Sequence, residues 1–196
     1  EALARDARYG VFEKTLAEDD ILLLAHHADD QAETVLYNLL RGSGSTGMSG
    51  IPVMRDLGHG RLLRPLLGRT KAQIKSYATR HRLKWIEDES NLDTSFDRNY
   101  LRHRILPLIA KRWAGHQNRI AITASQSKND KSLAKSIFLN DLAKLDFRND
   151  RAGISFCAKR ISLLEAIRQK NIIRQLPGEL KLSLPSTRVI DEVFDV

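Results

Sequence analysis

A single cysteine, Cys157, stands among 196 residues. That scarcity excludes an internal disulfide, a cysteine-ligated zinc site and a cysteine-held iron–sulfur cluster within this chain. A lone cysteine of this kind reads as a small packed hydrophobe. Long apolar runs are also lacking. None approaches the roughly 20 residues that a membrane-spanning helix needs. The start is amphipathic and acidic, unlike a signal peptide. No internal repeat is present. A cytoplasmic protein without a membrane partner is the expectation. The remaining composition, 42% hydrophobic and 29% charged, suits a chain with one or two buried cores.

What is present is unevenly placed charge. The chain carries +8 overall, but residues 1–40 sum to −6 and residues 41–84 to +9. Residues 85–110 sum to −2 and residues 111–196 to +7. An acidic block beside basic ones suits a cationic or metal-bearing ligand next to a polyanion surface. Solvated helix faces would give the same counts.

The order of elements points to an α/β fold. Residues 1–18 read as a helix with Ala4, Ala7, Val11 and Leu16 inward. Ile21 to Leu24 is a short apolar run, expected as a strand buried on both faces of a parallel sheet. The next helix carries Ala28, Ala32, Val35, Leu36, Leu39 and Leu40 on one stripe. Asp30, Glu33 and Tyr37 lie on the opposite side, spaced to converge on one ligand. Gly42 sits at the expected helix C-cap, and Gly42 to Pro52 reads as a flexible loop. Pro65 to Gly68 is a connector. Thr70 and Gln73 form a capping-box pattern that opens a helix to about His81. Leu83 to Ile86 is expected as a strand, Glu87 to Phe96 as an acidic loop, and Arg98 to Lys111 as a helix with Leu101, Ile105, Leu108 and Ile109 inward. Pro107 is expected to kink that helix or to end its first part. A domain boundary is placed near residue 111. Beyond it helical patterns dominate, with a short strand or hairpin near Asn149 to Cys157 and further helices at Arg160–Leu176 and Ser186–Val196.

The stretch HHADDQAETVLYNLLRGSGSTG, residues 26–47, carries the chemistry. Its G-x-G-x-x-G follows a helix, whereas a dinucleotide loop must follow a strand and open a helix. No lysine completes a Walker-type loop. The basic neighbours Arg41, Arg55, Arg61 and Arg64 still favour phosphate contact. His26 and His27 are adjacent, so their side chains diverge, unlike zinc-binding histidines four residues apart. Asp29, Asp30 and Glu33 suit either magnesium through carboxylates and waters, or an ammonium group. A helix N-terminus favours Asp29 and Asp30 by its dipole alone, but that does not account for Glu33 and two histidines. The cluster follows the C-terminal end of a strand, where α/β sheets place ligands. Arg98 and Arg102, one turn apart, suit phosphate or carboxylate.

Five stretches occur in order: HHADDQAET, LLRGSGSTGMSGIP, RPLL, WIEDESN and RNYLRHRILP, with ARDARY before them. Together they resemble the bacterial tRNA(Ile)-lysidine synthetases of the pyrophosphate-loop ATPase superfamily. The likeness covers residues 1–110, and residues 111–196 resemble that family's helical substrate-binding domain more loosely. It implies an adenine-nucleotide α-hydrolase-like parallel-sheet domain at 1–110, followed by a mainly helical tRNA-binding domain at 111–196. It also implies a ligase that uses ATP with Mg2+ to adenylate O2 of the wobble cytidine of tRNA(Ile) with a CAU anticodon. The ε-amine of free L-lysine then attacks C2 and AMP leaves. Homodimers occur in the family.

By the same resemblance, Asp30 and Glu33 match the lysine-binding acids and Arg98 an active-site arginine. Arg5, with Arg8 as competitor, matches a second arginine. His27 takes a proton-handling or nucleotide-contacting role, with His26 the alternative. Arg5, Arg41, Arg98 and Arg102 are the expected tRNA contacts. Glu89 stands where the family has proline. The S-G-G-x-D-S pyrophosphate loop is absent from these 196 residues, so the expectation is a chain that begins after the first strands and is inactive alone. A non-catalytic tRNA-binding fragment is the second reading, and a metal hydrolase using His26, His27, Asp29 and Asp30 the third.

Overall fold

A computed structural model describes residues 2–86, 93–150, 153–180, 182 and 187–192. The chain divides into two compact units, residues 1–128 and 129–196, with the division inside one long helix.

The first unit is built on a small mixed sheet. Strand β1 (Ile21–Leu23) pairs in parallel with β3 (Gly60–Leu63), and β3 pairs antiparallel with β2 (Met54–Leu57), in the order β1-β3-β2. The run at Ile21 thus forms a parallel strand, as its composition predicts, but it is not buried on both faces. Ile21 and Leu23 are 51% and 61% exposed. Successive side chains point to opposite faces, and the described residues cover only one of them. Leu62, opposite Leu22, is fully buried on that covered face.

The β2–β3 hairpin has no counterpart in the sequence expectations. It turns on Gly58 and His59. Gly58 has φ +59°, the positive value that primed hairpin turns need. A Cβ there would also sit 2.3 Å from the backbone oxygen of Glu13. Gly58→Ala is therefore expected to lower unfolding stability by about 2 kcal/mol, combining left-handed strain with the clash. Urea denaturation checks this, and a change under about 0.5 kcal/mol would mean that the turn relaxes freely.

Helix α1 (Ala2–Thr15) precedes the sheet. Its expected inward face is incorrect at Ala7 and Val11, which are exposed, while Leu16, just past the helix, is half-buried as expected. Tyr9 and Phe12 are half-buried as well, and their rings meet edge to face at 6.1 Å. Helix α2 (Ala28–Leu40) buries Ala28, Ala32 and Val35 as its periodicity demands, but Leu39 and Leu40 are exposed at its last turn, past the layer it covers. Gly42, at φ +69°, follows the Arg41 C-cap.

The glycine-rich loop after α2 is more ordered than expected. It holds a short helix, α3 (Ser45–Met48), and α2 clasps it. Gln31 accepts from Ile51 N at 2.6 Å, and Asn38 donates to Gly47 O at 2.8 Å. Helix α4 (Lys71–Arg80) opens on the predicted capping box: Gln73 N donates to Thr70 Oγ1 at 3.2 Å and Thr70 N to Gln73 Oε1 at 2.9 Å. The expected strand at Leu83–Ile86 does not form. Arg82, at φ +53°, turns the chain out of α4, and no described strand lies beside the exposed segment that follows. Much of the expected acidic loop, residues 87–92 with Glu89, lies outside the described residues.

The helix expected over Arg98–Lys111 is three pieces: α5 (Asp97–Tyr100), a π turn (Leu101–Ile105) and α6 (Leu106–Arg112). Leu106 N bonds back five residues to Leu101 O. Pro107 has no N–H to continue that pattern, so the wide turn ends there. The extra residue shifts the helix phase. Leu101 and Leu106 are buried, while Leu108, expected inward, is exposed.

Helix α7 (His116–Leu142) runs from the first unit into the second. The second unit adds the hairpin β4 (Arg148–Asp150) and β5 (Gly153–Ser155), as predicted near residue 149. The helix expected over Arg160–Leu176 is divided into α8 (Ala158–Ser162) and α9 (Ala166–Glu179). Helix α10 (Thr187–Glu192) follows, and residues 193–196 lie outside the described set. Phe138, Leu145 and Ile172 form the core. Cys157, expected as a packed hydrophobe, is exposed just before α8.

Candidate functional site

The chain leaves β1 and enters α2 through His26 and His27. His27 is the N-cap in extended backbone. Its Nδ1 accepts from Asp30 N at 3.4 Å, and Asp30 Oδ2 accepts from His27 N at 2.8 Å. This reciprocal cap fixes Asp30 at the mouth of the first helical turn. Nδ1 also lies 3.4 Å from Asp30 Oδ2 and 3.7 Å from Asp29 Oδ2. A proton on Nδ1 would turn it from acceptor to donor, exchanging the capping bond for ion pairs with both aspartates. His26 points elsewhere. Its Nδ1 accepts from Arg64 Nε at 3.3 Å. Buried Arg64 also donates to Pro52 O at 2.7 Å. The adjacent histidines therefore serve different networks, as their spacing demands.

Asp29 and Asp30 divide their tasks. Asp29 Oδ2 accepts from Lys71 N, the first residue of α4, at 2.7 Å, and Oδ1 accepts from Gln117 Nε2 on α7 at 3.1 Å. Burial is the largest single influence on its carboxyl and works upward. The Lys71 and Gln117 hydrogen bonds and the nearby His27 ring together outweigh it and hold the pKa below the ordinary 3.8. A depressed folded pKa stabilises the fold above the unfolded value, and the contribution fades as pH falls below 3.8 through the folded value. The stability gap between wild type and Asp29→Asn is thus expected to be constant from neutral pH to about 4 and to narrow below it. Urea midpoints at several pH values measure the gap, and a gap independent of pH would contradict this reading.

Glu33 lies one turn further along α2. Sequence periodicity places it opposite the apolar stripe, yet it is buried, at 4% exposure. The α5–π-turn segment covers that face. From it Arg102 donates through Nε to Glu33 Oε1 at 2.6 Å and through Nη2 to Oε2 at 2.8 Å. Arg102 Nη2 also reaches Asp30 Oδ1 at 3.4 Å. Desolvation keeps the Glu33 carboxyl above the ordinary 4.5 despite the two Arg102 bonds. The Arg102 guanidinium is held above its usual value first by its hydrogen bonds to Glu33. Both Glu33 oxygens accept from the Arg102 guanidinium, the fork geometry of a charge-assisted pair. Arg102, expected to face a tRNA phosphate, is turned inward to the acids.

Arg98 and Arg41 converge on Tyr37. Their guanidinium carbons lie 5.8 and 5.3 Å from its ring centroid, and Arg41 Nη1 donates to Tyr37 Oη at 3.4 Å. Arg8 is exposed on α1, and the side chain of Arg5 lies outside the described residues. His27, Asp30, Glu33 and Arg102 are therefore brought together, with Arg98 and Arg41 gathered on the α2 tyrosine. The strut role of Asp29 and its Gln117 partner were missed from sequence. Only the tertiary fold pairs residues 88 apart. Among the described residues no group of three or more His, Cys, Asp or Glu is placed to hold a metal ion. No described helix is long and apolar enough to cross a membrane.

The model of the PP-loop domain matches residues 1–109. The chain belongs to the PP-loop domain family. Its PP-loop domain supports ATP use. The chain is 38% identical to the tRNA(Ile)-lysidine synthase of Coxiella burnetii over 98% of its own length and 42% of that protein's. It is 41% identical to the tRNA(Ile)-lysidine synthase of Pseudomonas aeruginosa over 92% of its length and 42% of that protein's. With the tRNA(Ile)-lysidine synthase of Pseudomonas fluorescens it shares 47% identity over 74% of its length and 32% of that protein's. The chain thus spans less than half the length of the curated relatives it matches.

Proposed function

We propose that the protein carrying this chain joins L-lysine to C2 of the wobble cytidine of tRNA(Ile) with a CAU anticodon, forming lysidine at the expense of ATP. Cytidine O2 attacks the α-phosphorus of ATP and pyrophosphate leaves. The lysine ε-amine then attacks C2, the C2–O2 bond breaks, and AMP leaves carrying O2. The amine enters as an ammonium and must lose a proton first.

The observation that carries this reading is the acid pair of Asp30 and Glu33 on one helix face in a chain similar to tRNA(Ile)-lysidine synthases. A carboxylate site selects a cationic nucleophile. The His27 imidazole, whose Nδ1 lies 3.4 Å from Asp30 Oδ2, is the proposed acceptor of the proton that the ammonium gives up. Arg98 and Arg41, stacked on Tyr37, and the Arg5 or Arg8 position on α1 are the proposed contacts to tRNA phosphate. The +9 charge of residues 41–84 and the +7 of residues 111–196 support a polyanion partner. Residues 111–196 are proposed to bind tRNA. The 196 residues alone are proposed to be inactive, because the S-G-G-x-D-S signature that would grip the ATP phosphates is not among them. Mg2+ is proposed to accompany ATP, held by the nucleotide and groups outside the acid cluster, because Arg102 already places a cation there.

Product analysis tests the reaction type. The full-length protein is expected to release one AMP and one pyrophosphate per lysine consumed, only when the CAU tRNA is present. Release of ADP and phosphate, or turnover independent of tRNA, would overturn the ligase reading.

A further inference from the structure

The two acids of the cluster are not equivalent. Glu33 has both oxygens engaged by the Arg102 fork, and its side chain is 5% exposed. Asp30 is more open, at 21%, and its Oδ1 meets Arg102 only at 3.4 Å while Oδ2 serves the helix cap. One carboxylate is thus locked to an internal cation, and the other presents an oxygen to an incoming one.

We propose that Arg102 is a specificity-determining positioning residue: it ties up Glu33 as an internal ion pair, so that Asp30 is the acid that receives the substrate's ammonium. This rests on the lysine reading above and divides roles that the D-x-x-E pattern treats alike. Asp30, Glu33 and Arg102 together carry one net negative charge, which matches one ammonium, while Asp29, which also acts on Arg102, is bonded to Lys71 N and Gln117. Without Arg102 the site would carry two negative charges and one of them would be buried without this partner. Without Glu33 the Arg102 guanidinium, no longer held by the two Glu33 bonds, would close the 3.4 Å gap to Asp30 and occupy the position that lysine needs. Glu33 then acts on lysine through Arg102, by restraining a competitor.

A double-mutant cycle separates this from direct binding by Glu33. The assay is lysine incorporation into CAU tRNA by the full-length protein, with KM for lysine and kcat read separately. Glu33→Gln is expected to raise the lysine KM at least about tenfold with a smaller change in kcat, since it frees a competing cation. Adding Arg102→Gln to that variant is expected to bring KM back to within about threefold of wild type, a strongly non-additive cycle. Arg102→Lys, which keeps a cation on Glu33, is expected to stay within about fivefold. If Glu33 binds lysine itself, the double variant will be as impaired as Glu33→Gln or worse, and the proposal is overturned.

Thermal melts confirm folding of each variant. Should the Gln–Gln protein not fold, Glu33→Leu with Arg102→Met makes the same test with an apolar pair. Should neither pair fold, Arg102→Lys decides, and a rise in KM well above fivefold counts against the proposal. If wild type itself incorporates no lysine, the functional reading fails, which is distinct from failure of the division of roles.

Discussion

Asparagine in place of Asp30 is expected to raise the KM for lysine of the full-length protein roughly 30- to 1000-fold, with kcat at saturating lysine affected much less. The range follows from the roughly 2–4 kcal/mol lost when one member of a partly buried, hydrogen-bonded charge pair loses its charge, at 1.4 kcal/mol per tenfold. Asparagine suits the test better than alanine. Asp30 accepts the backbone N–H of His27 at 2.8 Å as part of the α2 cap, and an amide oxygen accepts it as well. The helix start is thereby kept while the charge is removed. The thermal midpoint should move little, so a kinetic loss without a stability loss assigns Asp30 to the ligand. A KM within about threefold of wild type would remove Asp30 from lysine recognition.

Alanine at Arg168 is expected to destabilise the second unit clearly more than alanine at an exposed ion pair does. Asp141 on α7 is fully buried, and Arg168 on α9 donates to both of its oxygens, through Nε at 3.0 Å and through Nη2. Removing the arginine leaves a buried carboxylate without its fork. The loss is expected to be smaller than for a fully buried pair because about a third of the Arg168 side chain meets solvent. The neighbouring Lys135–Glu179 pair, 3.0 Å apart and exposed on both sides, makes the contrast. Lys135→Ala should cost about 0.5 kcal/mol or less. Equal effects of the two substitutions in urea denaturation would mean that Asp141 finds water or another donor once Arg168 is gone.

Local chemistry carried much of the fold into the sequence. The stripe Ala28, Ala32, Val35 and the cap Thr70–Gln73 are decided within one or two helical turns, and both formed as read. The parallel pairing of β1 was legible in its unbroken apolar run, but its burial was not, because burial depends on what covers each face. Leu83 to Ile86 has strand composition, but no described strand lies beside it. The β2–β3 hairpin was hidden for the opposite reason. Arg55 and Asp56 break the apolar alternation, and only Gly58 marks the turn.

The candidate site divides along the same line. His27, Asp30 and Glu33 were visible as a cluster, since three and four residues make one helix face. That Glu33 is buried was not visible, because its partner lies 69 residues away on a π turn whose phase shift no periodicity foretells. Arg102, read with Arg98 as suited to phosphate or carboxylate, takes a carboxylate here. A guanidinium fork suits both anions, and only the fold decides between them.

Incorporation of labelled lysine into transcribed tRNA(Ile) with a CAU anticodon, in the presence of ATP, tests the account most directly. The full-length protein and these 196 residues are compared, and the tRNA is digested to nucleosides to locate the label. The account predicts label on the wobble cytidine with the full-length protein, none with the 196 residues, and little with Asp30→Asn at low lysine. Folded full-length protein that attaches no lysine, or attaches it as well when Asp30 is asparagine, would contradict it.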